Sequence, residues 1–341
     1  MFPSLLYLPN KQPGKMIPPH VCDDLQLTQL LRRDAITVSS AACGRDDILA
    51  RHEVFRSLDD PEVRSHFSAL HKNVTTLNRL DGLLSSSKCS RERDVVFLTL
   101  MHEYVQFSLQ AAKTMGSGVF CTAFSQYFSS ECATQRFASL KSAADKLFPT
   151  MTELQFNTLK IDGDKYRLSP GKKQTYLEML EHRTDELGLE PIALPQHGFQ
   201  ARGLSPAIIN ATARLYPSLF AEYAKFRENF SKYYDRDFRS DNGLRTLLDY
   251  RGELGFYLAL CKLFDRVKAA GIPLNYPTLI ETDERTFRVF DAYDITLLAK
   301  NEEHVVPNDI LFTPDEPFFY LTGANGGGKT TYLRTVGVAA V

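Results

Sequence analysis

Leu321-Thr322-Gly323-Ala324-Asn325-Gly326-Gly327-Gly328-Lys329-Thr330-Thr331 is the stretch on which the reading of this chain turns. An apolar run, Phe318-Phe319-Tyr320-Leu321, precedes it, and a helix-like segment, Tyr332-Leu333-Arg334-Thr335-Val336, follows. Strand, glycine-rich loop, Lys-Thr and helix in that order match the phosphate-binding P-loop, G-x-x-x-x-G-K-[ST]. The composition has a physical reason. Several backbone N–H groups must converge on phosphate oxygens, and side chains would obstruct that approach. Lys329 would bring a point charge to the β- and γ-phosphates, and the Thr330 hydroxyl a ligand for Mg²⁺. An ordinary glycine-rich loop is the competing reading. Lys-Thr in register, with strand and helix on either side, argues against it.

The rest of the composition is that of a folded, water-borne protein. Of 341 residues 43% are hydrophobic and 24% charged, and the length suggests two or three domains. A formal net charge of -1 gives no global polyanion-binding surface, so nucleic-acid contact has to come from local patches. Cys22, Cys43, Cys89, Cys121, Cys132 and Cys261 are scattered without C-x-x-C spacing. That argues against zinc and against a disulfide scaffold, and fits a reducing, cytoplasmic setting. The N-terminus makes a poor signal peptide, and no apolar run approaches the ~20 residues of a membrane span.

Before the P-loop the pattern is mostly helical. Prolines 3, 9, 13, 18 and 19 mark residues 1–20 as an extended arm on the surface. A helix is expected from Asp23 to Leu31, another over Arg51–Leu58, and a third opened by Asp60 as cap and Pro61 at its first position. Arg91 to Lys113 carries an apolar stripe at a spacing of about 3.6, broken by Gly116-Ser117-Gly118. Further helices are expected over Val119–Phe128 and Glu131–Leu147. Phe156–Ile161 and Lys165–Leu168 around Asp162-Gly163-Asp164 signal a hairpin. A helix over Lys173–Glu186 and a loop over Gly188–Gly203 follow. Ser205-Pro206 opens a helix that Pro217 should bend or split, and Leu244–Ala270 forms a long one closed by Gly271 and Pro273. Strand-like alternation then appears at Thr286–Phe290, Ile295–Leu298 and Phe318–Leu321.

With these residues in hand, the sequence resembles the MutS family of DNA mismatch-repair ATPases. Thr322-Gly323-Ala324-Asn325-Gly326-Gly327-Gly328-Lys329-Thr330-Thr331-Tyr332-Leu333-Arg334 is similar to that family's TGPNMGGKSTYLR. Val305-Val306-Pro307-Asn308-Asp309-Ile310 resembles its VPND segment. Glu253-Leu254-Gly255-Phe256-Tyr257-Leu258 with Ala269–Leu274 resembles the end of its helical core, and Asp24–Leu27 with Arg51–Leu58 the beginning.

The resemblance implies a mainly α fold, a helical core and lever of MutS type followed by the first strands and P-loop of an incomplete α/β ATPase domain. Residues 1–20 would be an arm and 21–270 the core and lever, with 155–204 a reduced DNA clamp. Residues 271–341 would begin the ATPase domain. ATP and Mg²⁺ are the implied cofactors. Gly323, Ala324, Asn325, Gly326, Gly327, Gly328, Lys329, Thr330 and Thr331 would hold phosphates, with Thr330 on the metal. Val306, Pro307 and Asn308 would pack against adenine. Mismatched or branched duplex DNA and a second copy of the chain are the implied partners, with no membrane.

The departures carry consequences. Ala324 stands for the family's Pro, Gly326 for Met and Thr330 for Ser; the last is neutral for Mg²⁺, whereas the first two loosen the loop. The mismatch-reading domain has no counterpart, which points toward MutS-like subfamilies. No Walker B carboxylate run follows Thr331, so this chain alone is expected to show no ATPase turnover. Phe318–Leu321, lacking sheet neighbours, is expected to be disordered, or to pack in a non-native way or against a neighbour.

Other clusters read as ordinary structure. His304 beside Glu302 and Glu303 reads as a solvated loop; Glu281, Asp283, Glu284, Asp291 and Asp294 read as surface. Phe226, Phe230, Tyr233, Tyr234 and Phe238 read as helix packing rather than base stacking. Around the hairpin, Lys160, Lys165, Arg167, Lys172 and Lys173 are offset by Asp162, Asp164 and Glu178, which leaves a solvated face open beside a phosphate contact. The rival to an ATPase is a non-catalytic dimerisation scaffold with a vestigial P-loop.

Overall fold

The computed structural model describes residues 3–8, 16–39, 44–155, 157–162, 165–170, 206–234, 244–279, 286–299 and 305–340. The helix expected at 173–186, the loop at 188–203, Phe238 and the acidic positions 281–284 and 302–304 lie outside them. The chain is mainly helical.

In chain order the elements are α1 (Pro19–Asp24), α2 (Leu27–Leu30), α3 (Arg33–Ser39), α4 (Arg45–Ser57), α5 (Pro61–Ser86) and α6 (Ser90–Ala111). Then come α7 (Val119–Cys132), α8 (Gln135–Leu147), a 3₁₀ segment Phe148–Gln155, and the antiparallel pair β1 (Asn157–Asp162) and β2 (Lys165–Pro170). Next are α9 (Pro206–Leu215), α10 (Pro217–Tyr233), α11 (Leu244–Ala269), β3 (Phe287–Ala292), α12 (Ile295–Ala299), β4 (Asn308–Phe312) and α13 (Lys329–Ala340).

Local chemistry sets several of these boundaries. Asp60 Oδ1 accepts the N–H of Glu62 at 2.8 Å, so Pro61 starts α5 under a side-chain cap. Pro217 cannot continue the preceding helix and instead begins α10. α11 ends in paired bonds, Gly271 N–H to Lys268 O at 3.0 Å and Ile272 N–H to Val267 O at 3.2 Å. Gly271 at φ 72° occupies the left-handed position that this termination demands.

Two compact units are built from interleaved stretches. One comprises residues 72–113 and 126–248, the other 2–71, 114–125 and 249–341. The first is organised on α6, buried on nearly all sides through Val95, Phe97, Leu98, Met101, Tyr104 and Phe107. An apolar helix of that kind needs neighbours all round. α8, α9 and α10 supply them. Phe97 meets Phe226 and Tyr234 edge-on, and Asp94, buried, pairs with Arg227 of α10. The aromatic run of α10 is packing, as its helical spacing predicts.

The second unit holds α1 to α4, the first turns of α5, most of α11, and everything from β3 onward. Phe55, Phe67 and Phe124 form its aromatic centre with Tyr250 and Tyr257 of α11. β3 and β4 pair antiparallel, Phe287 opposite Phe312 and Val289 opposite Ile310, with a bulge between Val289 and Ala292.

Four expectations are corrected here. The arm is a surface feature only in part: Leu5 and Leu6 are 1% and 0% exposed, whereas Met16, Pro18, Pro19 and His20 are exposed as expected, and residues 9–15 lie outside the described residues. The helix expected over Asp23–Leu31 breaks at Gln26, which takes φ 56°, so that Cys22 and Leu27 reach one cluster with Ile36. Ile295–Leu298 is a helix rather than a strand, because Asp294 caps it through the N–H of Thr296 at 2.9 Å. Phe318–Leu321 forms no strand; among the described residues no strand runs beside it to share a ladder.

Candidate functional site

Gly323 to Gly328 form an exposed loop that feeds directly into α13 at Lys329. Gly326 and Gly328 have φ 82° and 80°, conformations that favour glycine, and a Cβ at either would meet nothing within 4 Å. Glycine is needed there for backbone shape, not for lack of room.

Within the loop the N–H of Gly327 donates to Ala324 O at 3.2 Å, and the helix ladder begins with Tyr332 N–H to Gly328 O at 2.9 Å. The first-turn amides of α13 have no carbonyl of their own helix to bond, so a positive dipole end faces the loop. Lys329 Nζ folds back and donates to Gly323 O and Ala324 O, both at 2.6 Å. Its ammonium thus lies against the loop's own backbone. Thr330 stands beside it, exposed.

This donor set suits a nucleotide phosphate and its metal. A P-loop metal is held by one hydroxyl and by phosphate oxygens rather than by an all-protein cage. Among the described residues no three His, Cys, Asp or Glu side chains converge on a metal site. Gly323 to Gly328 would hold the phosphates with Lys329, and Thr330 the Mg²⁺.

Val306, Pro307 and Asn308 lie at the start of β4, exposed, with Val306 at 76%. Asn308 Nδ2 donates to Val306 O at 3.2 Å and fixes that turn. The connection to the loop helix falls one residue later, where the Tyr332 hydroxyl donates to Asp309 O at 3.1 Å. Phe319 packs between Phe312 and Tyr332, with ring centroids at 5.2 and 5.7 Å. β4 and the P-loop helix thus share one neighbourhood of the second unit. Phe318, Tyr320 and Leu333 around it remain exposed.

A residue read from sequence as surface is central to this neighbourhood. Asp294 is 1% exposed and lies 2.6 Å from Arg334 Nε on α13. Its other oxygen accepts the Thr296 N–H at 2.9 Å and the Thr296 hydroxyl at 2.6 Å. The signal was present as Asp-Ile-Thr, an N-cap pattern before a short apolar run. Asp291, at the bulge, stays exposed and takes φ 51°, its N–H donating to Asp309 Oδ1 at 3.0 Å.

A second buried acid lies outside this neighbourhood. Glu253 of α11, 6% exposed, accepts the N–H of Leu5 at 2.6 Å and the hydroxyl of Ser4 at 2.9 Å. Burial pushes its carboxyl up to about 7, against the pull of those two donors.

Among the described residues no helix is long and apolar enough to cross a membrane. No model of a known protein family matches the chain.

Proposed function

We propose that this chain is the helical core and nucleotide-loop portion of a MutS-like, ATP-dependent DNA-binding protein of mismatch repair or a related repair or recombination process. The observation that supports this best is the P-loop with its extension, Gly323 to Arg334, standing at the N-terminus of α13. Beside it, Asp309 of the Val-Pro-Asn-Asp segment is bonded to Tyr332.

In this reading the loop amides and Lys329 hold ATP phosphates, and phosphate oxygens replace Gly323 O and Ala324 O as acceptors of Nζ. Thr330 binds Mg²⁺, and Val306, Pro307 and Asn308 take the adenine side. The hairpin β1–β2 stands in for a reduced DNA clamp, the helices for core and lever, and two copies act together in the cytoplasm.

Titration of a fluorescent ATP analogue with and without Mg²⁺ tests the nucleotide half. Saturable, Mg²⁺-dependent binding that Lys329→Ala abolishes is expected. No binding by a folded chain would leave a non-catalytic scaffold with a vestigial loop. Titration with plain, mismatched and branched duplexes tests the DNA half, and equal failure of all three would remove it.

A further inference from the structure

Helices α4 and α11 of the second unit hold residues 3–8 in a way that differs from ordinary core packing. A helix has no free backbone groups along its length, so it can bind irregular chain only through side chains placed for that purpose. Tyr250, Glu253 and Tyr257 recur at i, i+3 and i+7 on one face of α11. The Tyr250 hydroxyl donates to Pro3 O at 2.5 Å and the Tyr257 hydroxyl to Leu5 O at 2.6 Å. Between them Glu253 takes the Leu5 N–H and the Ser4 hydroxyl. From α4, Arg51 Nε donates to Leu6 O at 2.9 Å and Asp47 Oδ1 accepts the Leu8 N–H at 2.8 Å.

Five side chains of two helices therefore engage three carbonyls and two amides of a six-residue segment. The Ser4 hydroxyl completes the set by accepting from the N–H of Leu6 and of Tyr7, at 3.0 and 3.2 Å, which folds the segment into a compact turn. Leu5 and Leu6 provide the apolar burial. The segment joins no sheet and no helix. Its departure would leave the backbone ladders of α4 and α11 intact, but would take from these five side chains the main-chain partners they hold.

We propose that the α4–α11 groove is a main-chain-reading peptide site, and that residues 3–8 of the same chain dock in it as a separable ligand. The ligand class is a short peptide with a hydroxyl residue followed by two leucines. Main-chain bonds supply its affinity and the two leucine positions its selectivity. Nothing in this proposal depends on nucleotide or DNA binding.

The test replaces residues 10–14 with a protease recognition sequence, folds the full chain, and cuts it afterwards. After dialysis the cut protein should bind a labelled peptide of residues 1–8 saturably, and the peptide should restore the thermal midpoint of the uncut chain. A peptide methylated on the Leu5 nitrogen, which cannot donate to Glu253, should bind at least tenfold more weakly. A cut protein that retains its segment through dilution and admits no peptide would overturn the proposal. Equal binding of the methylated peptide would do the same.

Hydrogen exchange on the uncut chain keeps the idea testable if cutting causes aggregation. The Leu5 and Leu8 amides should exchange at least tenfold faster than interior α11 amides; equal rates would mean that the segment opens only with the whole unit. An uncut dimer that free peptide dissolves would place the segment on a second copy and overturn the assignment to its own chain.

Discussion

Arg334 Nε lies 2.6 Å from Asp294 Oδ2, and the two side chains are 10% and 0% exposed. The pair ties the helix that follows the P-loop to the turn that opens α12, across 40 residues of sequence. A buried pair of this kind adds little net stability, but removing one partner is costly because the other is left as an uncompensated charge. The two ends are not equivalent. Arg334 still reaches solvent, whereas Asp294 does not. Arg334→Met should therefore destabilise the chain by about 3 kcal/mol, somewhat eased by the two Thr296 donors. Asp294→Asn should cost less, since the Thr296 donors can keep an amide oxygen as acceptor. Urea denaturation followed by tyrosine fluorescence would rank the two. The reverse order would mean that the pair is not the buried contact it is in this fold.

Glu253 gives a pH dependence with a definite sign. Its carboxyl titrates near 7 in the folded chain, raised by burial and by Asp249, and lowered by the Leu5 and Ser4 donors and by Arg51. An acid whose folded value lies above its unfolded one binds more protons in the folded state. Its contribution is then fully present below about pH 4.5 and is lost as pH rises to about 7, by on the order of 3 kcal/mol. His52, His71 and His102, all lowered by burial, act in the opposite sense, because acid protonates the unfolded chain first. The wild-type profile therefore mixes the two. The difference between wild type and Glu253→Gln isolates the acid. Denaturation midpoints at pH 4.5, 5.5 and 7 should show a difference that changes steadily across the window, and a constant difference would refute the assignment.

Where local chemistry decides, the sequence was readable. Pro61, Pro217 and Gly271 each act on the backbone within a turn of themselves, and each ends or begins a helix where expected. The hairpin follows from alternation around Asp162-Gly163-Asp164, and the helix after the P-loop from the motif itself. The misreadings share a different cause. Ile295-Thr296-Leu297-Leu298 has the composition of a strand, but Asp294, held in turn by Arg334, caps it as the start of a helix. The burial of Leu5 and Leu6 depends on Glu253 and Tyr257, about 250 positions away, and a run of prolines near the N-terminus carries no trace of that. Phe318–Leu321 has the apolar character of a buried strand, but strand formation needs a neighbour to complete the ladder.

If the nucleotide reading holds, Thr330 and Lys329 should separate in their effects. Lys329→Ala should abolish binding of the ATP analogue under all conditions, because the point charge is lost. Thr330→Ala removes only a metal ligand. It should leave weak binding in the presence of a chelator unchanged and eliminate the increase that Mg²⁺ gives to wild type, measured by fluorescence titration. A full Mg²⁺ increment in Thr330→Ala would exclude that hydroxyl as a ligand.

Two helical glycines should respond in opposite directions to the same added methyl group. Gly82 lies exposed near the end of α5, and a Cβ there would meet nothing within 4 Å. Gly82→Ala should stabilise the chain by about 0.5–1 kcal/mol, because alanine loses less backbone freedom on folding. Gly252, on α11, faces α3 at close range. A Cβ there would lie 2.7 Å from the carbonyl oxygen of Asp34 and 2.8 Å from Val38 Cγ2. The nearer atom is backbone, so relief requires α3 to move as a body rather than a side chain to rotate. Gly252→Ala should cost about 1–3 kcal/mol, the range for overpacking, despite the same gain in helix propensity. Thermal melts of the two variants beside wild type would decide the matter. A Gly252→Ala protein as stable as Gly82→Ala would show that α3 and α11 do not approach each other through that glycine.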